Sequence, residues 1–348
     1  MCPLSGQVNS YRYIKIPDNL FSYRSFVTVK MDVNTRDLSI DLSKYKSIKN
    51  YDYTRELQNL INRYKKVKLP PYIMLINDSG ISIPSNARVY FSKGTVLKMK
   101  SSHKTHFDAL KIYDVKDVQI YNATIIGDKK THLGTQGEWA AGIGIRNSTD
   151  VIVQYGNISD TWGDGVFIGS ENGGVSKNIK VSDLNIDNAR RNGISLTSGN
   201  NVLVQNVTIS NTSGTMPMCG IDIEPSLPEE ELINIKFNNI TTFNNANVGF
   251  SINTNMFSSP NKDYKKKVSI LIENHRDYDS PISMGYSIDA NDFRYKPTGI
   301  IIYKNGISNN STHSPYWKTS QKKGIKFSVQ NFTIKKGNTK KIFHDENF

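Results

Sequence analysis

A short glycine-led pattern recurs five times in the middle of the chain. In each copy, apolar residues occupy every second position after the glycine. Successive glycines are 23, 28, 27 and 29 residues apart, and repeats of roughly 20–50 residues are typical of solenoids. One alternating strand per repeat predicts a parallel β-helix, whose stacked coils bury one continuous core. The five copies are Gly142–Ile145, Gly165–Ile168, Gly193–Leu196, Gly220–Ile223 and Gly249–Ile252.

Two further strand-like segments follow the glycine strand in the clearest repeats. The sequence therefore predicts an all-β fold, a single-stranded parallel β-helix with three strands per coil. Frequent asparagine is compatible with polar turns that stack from coil to coil. The second segment recurs as Val151–Val153, Ile179–Val181, Val202–Val204 and Ile233–Ile235. The third recurs as Asn157–Ile158, Leu184–Ile186, Val207–Ile209 and Ile240–Thr241.

An amphipathic segment before the repeats predicts an N-terminal capping helix. Apolar residues at helical spacing run from Leu57 to Tyr64, Asp52 or Thr54 is placed to cap the helix, and Leu69-Pro70-Pro71 follows. The open end of a solenoid exposes core and strand edges, so a cap is physically required.

The regions outside the coils complete the predicted organisation. Alternating runs at Phe26–Val29 and Leu38–Leu42 predict strands that lead into the body. We therefore divide the chain into an N-terminal extension (1–50), a β-helix domain (51–330) and a C-terminal basic tail (331–348).

Composition narrows the range of partners. The formal net charge is +13 and the pI about 9.4, which favours an acidic polysaccharide, nucleic acid or anionic lipid. No nucleic-acid-binding motif accompanies the lysines, and no run of 18 apolar residues is present. We expect neither a nucleic-acid partner nor a membrane span. The two cysteines give no disulfide framework or metal pattern, so no metal or other cofactor is expected.

The repeat register places candidate functional side chains on one outer face. Residues two and four positions after each glycine point outward, because side chains alternate along a strand. Asp222 and Glu224 then project from one strand about 6.5–7 Å apart, near the carboxyl separation of inverting glycosidases. Arg191 lies one coil from Asp222, and Asp164 lies two coils away.

Other residues are candidates for binding a substrate at this face. Two tryptophans share an offset on neighbouring coils and can stack on sugar rings. The longest irregular insertion, residues 127–138, contributes a histidine and a glutamate, and long loops on a solenoid face usually shape a cleft. The predicted substrate-binding residues are Arg190, Arg191, Trp139, Trp162, Glu138, His132 and Thr197.

Three segments resemble the right-handed parallel β-helix, pectin-lyase-like superfamily of carbohydrate-active proteins. They are Thr161–Gly165, Arg190–Ser195 and Cys219–Pro225, and the resemblance extends over roughly residues 52–330. It implies a right-handed helix similar to polygalacturonase-type glycoside hydrolases and phage tailspike depolymerases. The sequence departs from the polygalacturonase pattern, because only Asp164 falls at an equivalent acidic position and Asn192 stands where a histidine is expected. Pectin is therefore not assigned as the substrate.

The leading hypothesis is an extracellular or cell-surface enzyme, with a virion tail as one setting, that hydrolyses an acidic polysaccharide. Asp164, Asp222 and Glu224 form the predicted acid/base set, with acid and base unassigned. One alternative is a polysaccharide lyase or uronate C5-epimerase, with Arg190 or Arg191 as base and calcium bound by Asp222 and Glu224. The other is a non-catalytic glycan-binding or adhesion module. The oligomeric state is not predicted.

Overall fold

The computed structural model describes residues 11–259, 262–287, 294–318, 324–343 and 346–347. The chain winds into a parallel β-solenoid of about 9 turns. This confirms the predicted all-β architecture, and the fold is the one that the resemblance to pectin-lyase-like proteins implies. None of the helices within these ranges has the length and apolarity to cross a membrane.

One sheet is built from the glycine-led segments, and we call it the short-strand sheet. Its register pairs Val166 with Ile194 and Ile194 with Ile221. These side chains are fully buried, because the alternation of the strand turns them toward the solenoid core. The strands are Ile81–Ser82, Leu110–Tyr113, Ile143–Arg146, Val166–Gly169, Ile194–Leu196, Ile221–Ile223, Val248–Asn253, Ile282–Ser287 and Ser314–Lys318.

The second sheet, the long-strand sheet, contains the other two predicted segments of each coil. In the central coils these segments run together into one strand that bends at a residue with positive φ, such as Asp183 (58°) or Asn206 (51°). The long strands are Lys116–Ile126, Thr149–Ser159, Ser176–Asp187, Gly199–Ser210, Leu232–Phe243 and Lys267–Tyr278. The shorter ones are Arg36–Asp37, Lys66–Leu69, Ile73–Ile76, Arg88–Phe91, Val96–Met99, Thr298–Lys304, Ile307–Asn309, Ile325–Gln330, Phe332–Lys336, Thr339–Phe343 and Glu346–Asn347.

Asparagine and aspartate stack in ladders at the bends of the long strands. Asn206 Nδ2 donates to Asp183 Oδ1 at 3.0 Å, and Asn239 Nδ2 donates to Asn206 Oδ1 at 2.9 Å. A second ladder joins Asn201 to Asn178 at 2.8 Å. Asparagine and aspartate tolerate the left-handed conformation of these bends better than most residues. The ladders therefore satisfy polar turns that each coil repeats.

The capping helix spans Thr54–Tyr64, as the apolar spacing predicts. Leu57 and Ile61 are buried against the core. Asp52 Oδ1 accepts from the Thr54 N–H at 3.0 Å, which satisfies a donor at the start of the helix. Lys65 follows with a φ of 58°, and the first coil strand begins at Lys66.

The N-terminal extension differs from the predicted strands. Residues 26–29 form no strand, and residues 39–42 form a short α-helix. That segment is helical because Leu38 and Leu42, four residues apart, are both buried on one side. The remaining helical segments are the 3₁₀ turns Asp18–Leu20, Ser43–Tyr45 and Asn255–Phe257.

The earlier part of the extension crosses the outside of the long-strand sheet as a strap. The Ile14 N–H donates to Asn211 Oδ1 at 3.2 Å, and the Ser22 and Tyr23 N–H groups donate to Asn185 Oδ1. Backbone groups of the strap therefore bond to side chains on several coils.

The described part of the C-terminal basic segment is not a separate tail. Phe332–Lys336 pairs in parallel with Ile307–Asn309, and Thr339–Phe343 returns antiparallel to it. Phe332 is 2% exposed, so apolar burial joins this segment to the last coils. Lysines such as Lys340 and Lys341 on the returning strand discourage further strand addition.

Candidate functional site

A groove follows the outer face of the short-strand sheet across the coils. Its floor follows one register row, in which Phe167, Ser195, Asp222, Ser251 and Gly285 are successive partners. Two adjoining cavities of about 640 and 1190 Å³ form the groove, and both are lined by Arg191, Asp222 and Glu224. The two carboxylates that the register predicts on this face therefore lie in the middle of the groove.

Asp222 projects outward from its strand, but only 3% of the residue is exposed. The predicted outward direction does not expose it to solvent, because side chains of neighbouring coils cover it. Asn192 Nδ2 donates to its Oδ2 at 3.4 Å. Burial and the nearby charge of Glu224 raise the pKa of Asp222 to about 8, although Arg191 and a hydrogen bond from Ser251 oppose this. At neutral pH the Asp222 carboxyl is mainly protonated.

Glu224, two residues further along the chain, has a different environment. Its side chain is 41% exposed. Oε1 accepts from Asn253 Nδ2 at 3.1 Å, and Oε2 lies 4.0 Å from Arg191 Nη2. An amide donor and a guanidinium are contacts that suit a carboxylate. The two carboxyls on this strand thus differ in burial and in hydrogen-bond partners.

Arg191 lies among carboxylates at the centre of the site. Its Nη1 is 3.2 Å from Asp164 Oδ2, and its Nε is 3.6 Å from Glu138 Oε2. Burial alone would lower the pKa of Arg191, but the surrounding carboxylates, Asp164 foremost, raise it. The guanidinium therefore stays charged and neutralises the acidic cluster.

Asp164 lies beneath the groove. It is 4% exposed and accepts from the Asn192 N–H at 3.1 Å as well as from Arg191. Burial raises the pKa of Asp164, and Arg191 opposes that effect. Its contacts indicate a residue that fixes Arg191 and the backbone at Asn192.

Asn192 is a functional candidate that the sequence analysis did not select. It is completely buried, Nδ2 donates to Ser195 Oγ at 3.0 Å, and Oδ1 accepts from the Cys219 N–H at 2.9 Å. Together with the contact to Asp222, these bonds fix the orientation of the carboxyl. One indication of this role was present in the sequence: Asn192 lies just before a coil glycine, at the position where the resemblance leads one to expect a histidine.

Besides Arg191, three of the seven predicted binding residues lie at or beside the groove. Trp139 is 46% exposed and lines one end. Its ring stacks on His106 with centroids 4.4 Å apart. Thr197 also lines the groove, and its buried Oγ1 has no hydrogen-bond partner within the described structure. Glu138 contributes through its contact with Arg191.

The remaining three predicted binding residues, like Glu138, are absent from the described lining of both cavities, and no hydrogen bond or ion pair joins their side chains to Arg191 in the described structure. Trp162 is 7% exposed and is covered by His132, with ring centroids 3.7 Å apart, and by Arg190, 4.0 Å from the ring centroid. Arg190 also donates to the Gly137 and Thr135 carbonyls. These contacts hold the 127–138 insertion against the coils, which is why the three side chains are unavailable to the groove.

Arg146, Phe167 and Trp317 line the groove and were not selected from the sequence. The Arg146 guanidinium lies 3.9 Å above the Phe167 ring centroid. Its Nε is 3.4 Å from Glu171, whose side chain is 48% exposed. Arg146 and Phe167 occupy outward positions of the register, so the repeat pattern could have identified them as groove residues. Trp317 lies in a late, irregular coil.

Comparison with known proteins gives no matching family model. The chain is 26% identical over 181 residues to the uncharacterized protein YclG of Bacillus subtilis, covering 47% of this chain and 31% of YclG. It thus spans under a third of that relative's length.

Solved structures with a similar fold include tailspikes. Tailspike gp49 of Acinetobacter baumannii bacteriophage Fri1, a capsular polysaccharide depolymerase, has a TM-score of 0.56 at 13% identity, over 96% of this chain and 70% of that one. A mutant tailspike of Escherichia coli bacteriophage HK620, in complex with a hexasaccharide, has a TM-score of 0.64 at 11% identity, over 82% and 53%. A galactohydrolase named for a sulfated galactose glycan has a TM-score of 0.56 at 13% identity, over 80% and 66%.

Proposed function

We propose that this protein is a glycoside hydrolase that cleaves a polysaccharide lying along the groove. The observation that supports this most directly is the contrast between two carboxyls on one strand. Asp222 is buried with its pKa raised to about 8, whereas Glu224 is exposed beside an amide donor and a guanidinium. A buried carboxyl that holds its proton, beside a carboxyl that solvent can reach, suits general acid and general base roles.

The proposed reaction is a single displacement. The Asp222 carboxyl donates its proton to the glycosidic oxygen as the bond from that oxygen to the anomeric carbon breaks. Glu224 takes a proton from the water that attacks the anomeric carbon from the opposite face. By strand rise the Cα atoms of Asp222 and Glu224 lie about 6.5–7 Å apart, a spacing compatible with the carboxyl separation that leaves room for water in inverting enzymes. Afterwards the charged Asp222 lies near Arg191, and Glu224 carries a proton.

Similarity to other proteins supports the substrate class and the setting. The solved structures include a capsular polysaccharide depolymerase, a tailspike bound to a hexasaccharide and a galactohydrolase. At these low identities the likeness shows the fold, and activity is inferred from the site's geometry. We therefore propose an extracellular glycan-acting protein, with a phage tail as one setting.

An acidic substrate is part of the proposal, with Arg146 as its anchor. The net charge of +13 favours a polyanion. Arg191 is already held by three carboxylates. Arg146 lines the groove, rests on Phe167 and lies 3.7 Å from the buried Asp108 carboxyl. Its other partner, Glu171, is exposed and can be displaced by a substrate carboxylate or sulfate.

The lyase or epimerase alternative receives less support from the site. It requires an arginine that gives up a proton, whereas the carboxylates around Arg191 raise its pKa. The Arg191 guanidinium, 4.0 Å from Glu224, also repels a cation that would bind Asp222 and Glu224. Arg190 is engaged with Trp162 and the insertion.

The deciding experiment is digestion of a panel of capsular, uronate-containing, sulfated and neutral polysaccharides. Reducing ends and near-ultraviolet absorbance are recorded together. We expect new reducing ends without an absorbing product, and loss of turnover in Asp222→Asn and Glu224→Gln. Asp263→Asn, the same change at an exposed loop residue, serves as the control.

Other results would decide against the hydrolase. An unsaturated, absorbing product would favour the lyase. Binding of a polysaccharide with no cleavage of any panel member would favour the non-catalytic module. Unchanged cleavage by both carboxyl variants would reject the proposed site.

A further inference from the structure

The groove changes chemical character on the two sides of the carboxylates. On the side toward the C-terminus, a trough of about 1190 Å³ is lined by Met216, Pro217 and Val248 where the strands begin, and by Asn253 and Ser287 where they end. Among the described lining residues, only the shared Arg191, Asp222 and Glu224 carry charge. The trough therefore offers no cation of its own to an acidic sugar.

An aromatic side chain stands at the far end of this trough. The register that contains Asp222 continues through Ser251 and Gly285 to Trp317. Three strand spacings of roughly 4.8 Å place Trp317 about 14 Å from the Asp222 position. Ser251 and Gly285 are small, so the floor between them is open.

The indole lies against the floor of the trough. A Cβ built on Gly285 would be 3.5 Å from Trp317 Cε3, so the ring borders the glycine without overlapping it. Trp317 also packs on the apolar cluster of Cys219, Val248 and Ile282. These contacts hold the indole at the end of the trough.

We propose that this trough, ending at Trp317, binds uncharged pyranose units of the glycan that the carboxylates cleave. A pyranose ring has an apolar C–H face and a hydroxyl-bearing edge. The indole and the Met216–Pro217 wall match the first, and Asn253 and Ser287 match the second. This inference rests on the proposed function, which places the glycan chain along the groove. It implies a mixed glycan, with uncharged units on the Trp317 side and the acidic unit beside Arg146.

Kinetics on a cleaved panel polysaccharide tests the assignment. For Trp317→Ala we expect a KM increase of about tenfold, from lost aromatic stacking, with a smaller change in kcat. Trp317→Phe keeps a ring and should restore most of the affinity. Phe26→Ala, which removes an exposed aromatic ring outside the groove, is the control and should leave KM unchanged. The proposal would be overturned if Trp317→Ala had the wild-type KM. It would also be overturned if the end of the product that had occupied the trough carried charged sugars.

A second measurement does not depend on turnover. In the Trp139→Phe protein, Trp317 is the more accessible remaining tryptophan, because Trp162 is 7% exposed under Arg190 and His132. Acrylamide quenching is measured with cellohexaose, chitohexaose or maltohexaose, and with hexagalacturonate for comparison. We expect at least one neutral hexasaccharide to reduce quenching at concentrations where hexagalacturonate does not.

The two measurements separate the two hypotheses. Protection by a neutral hexasaccharide without cleavage of any glycan supports the trough and rejects the hydrolase. Cleavage with no protection and no effect of Trp317→Ala rejects the trough and leaves the hydrolase intact. No protection and no cleavage reject both.

Discussion

Asp222→Asn should stabilise the fold while it removes activity. The Asp222 carboxyl is buried, and its pKa is raised from 3.8 to about 8. Between these pH values the folded state holds a proton that the unfolded state releases, so the free energy of unfolding falls as pH rises. The contribution of this bound proton to the free energy of unfolding is fully present below about pH 4 and is lost by the time the pH passes about 8. Asparagine keeps the shape and an acceptor for Asn192 but has no proton to lose.

The size of the effect follows from the raised pKa. Each pH unit between the folded and unfolded pKa values is worth about 1.4 kcal/mol. The stability gained by the variant should therefore grow from near zero at pH 4 to at most ~5 kcal/mol at pH 8. Urea unfolding of both proteins at pH 4, 6 and 8 measures this difference directly.

Glu224→Gln provides a second check on the same reasoning. Removing the Glu224 charge lowers the pKa of Asp222, because that charge is the largest raising effect after burial. The pH-dependent loss of stability should then end at a lower pH than in the wild type. If the difference in the free energy of unfolding between wild type and Asp222→Asn stays constant from pH 4 to 8, Asp222 is not a buried, protonated carboxyl.

Three further predictions concern the activity, the coils and the turns. On any polysaccharide that the protein cleaves, a pH–rate profile should show activity falling above about pH 8, because Asp222 loses its proton there. A rate that rises through this range would contradict the assignment of Asp222 as the acid. Activity should also persist in a calcium chelator, and activity that is lost in chelator and restored by calcium would contradict the hydrolase. Gly193→Val should lower the thermal midpoint strongly, because a Cβ there would lie 2.2 Å from Ile209 Cγ2 and 2.6 Å from the Gly220 carbonyl oxygen. Gly285→Ala, whose nearest contacts would be 3.4 and 3.5 Å, is its control, and equal midpoints would count against the register. Asn206→Ala should cost about 1–3 kcal/mol in urea unfolding, since it removes two ladder hydrogen bonds and puts alanine at positive φ; a wild-type unfolding curve would show that the ladder adds nothing.

The sequence by itself determined the repeat and therefore the fold. Glycines such as Gly193 and Gly220 mark the period, and the alternation after them decides which side chains enter the core, because strand geometry leaves only two faces. The same register put Asp222 and Glu224 on the outer face. The helical spacing of Leu57 and Ile61 likewise predicted the cap.

Only the tertiary structure decided how each carboxyl behaves. Whether an outward residue is buried depends on side chains that reach across from other coils, and Asn192 and Arg191 come from the coil before Asp222. Sequence spacing could not assign acid and base, because protonation depends on that environment. It also could not separate Trp139, which lines the groove, from Trp162, which His132 and Arg190 cover. Both share one offset in the repeat, and only the path of the 127–138 insertion, which no periodicity fixes, distinguishes them.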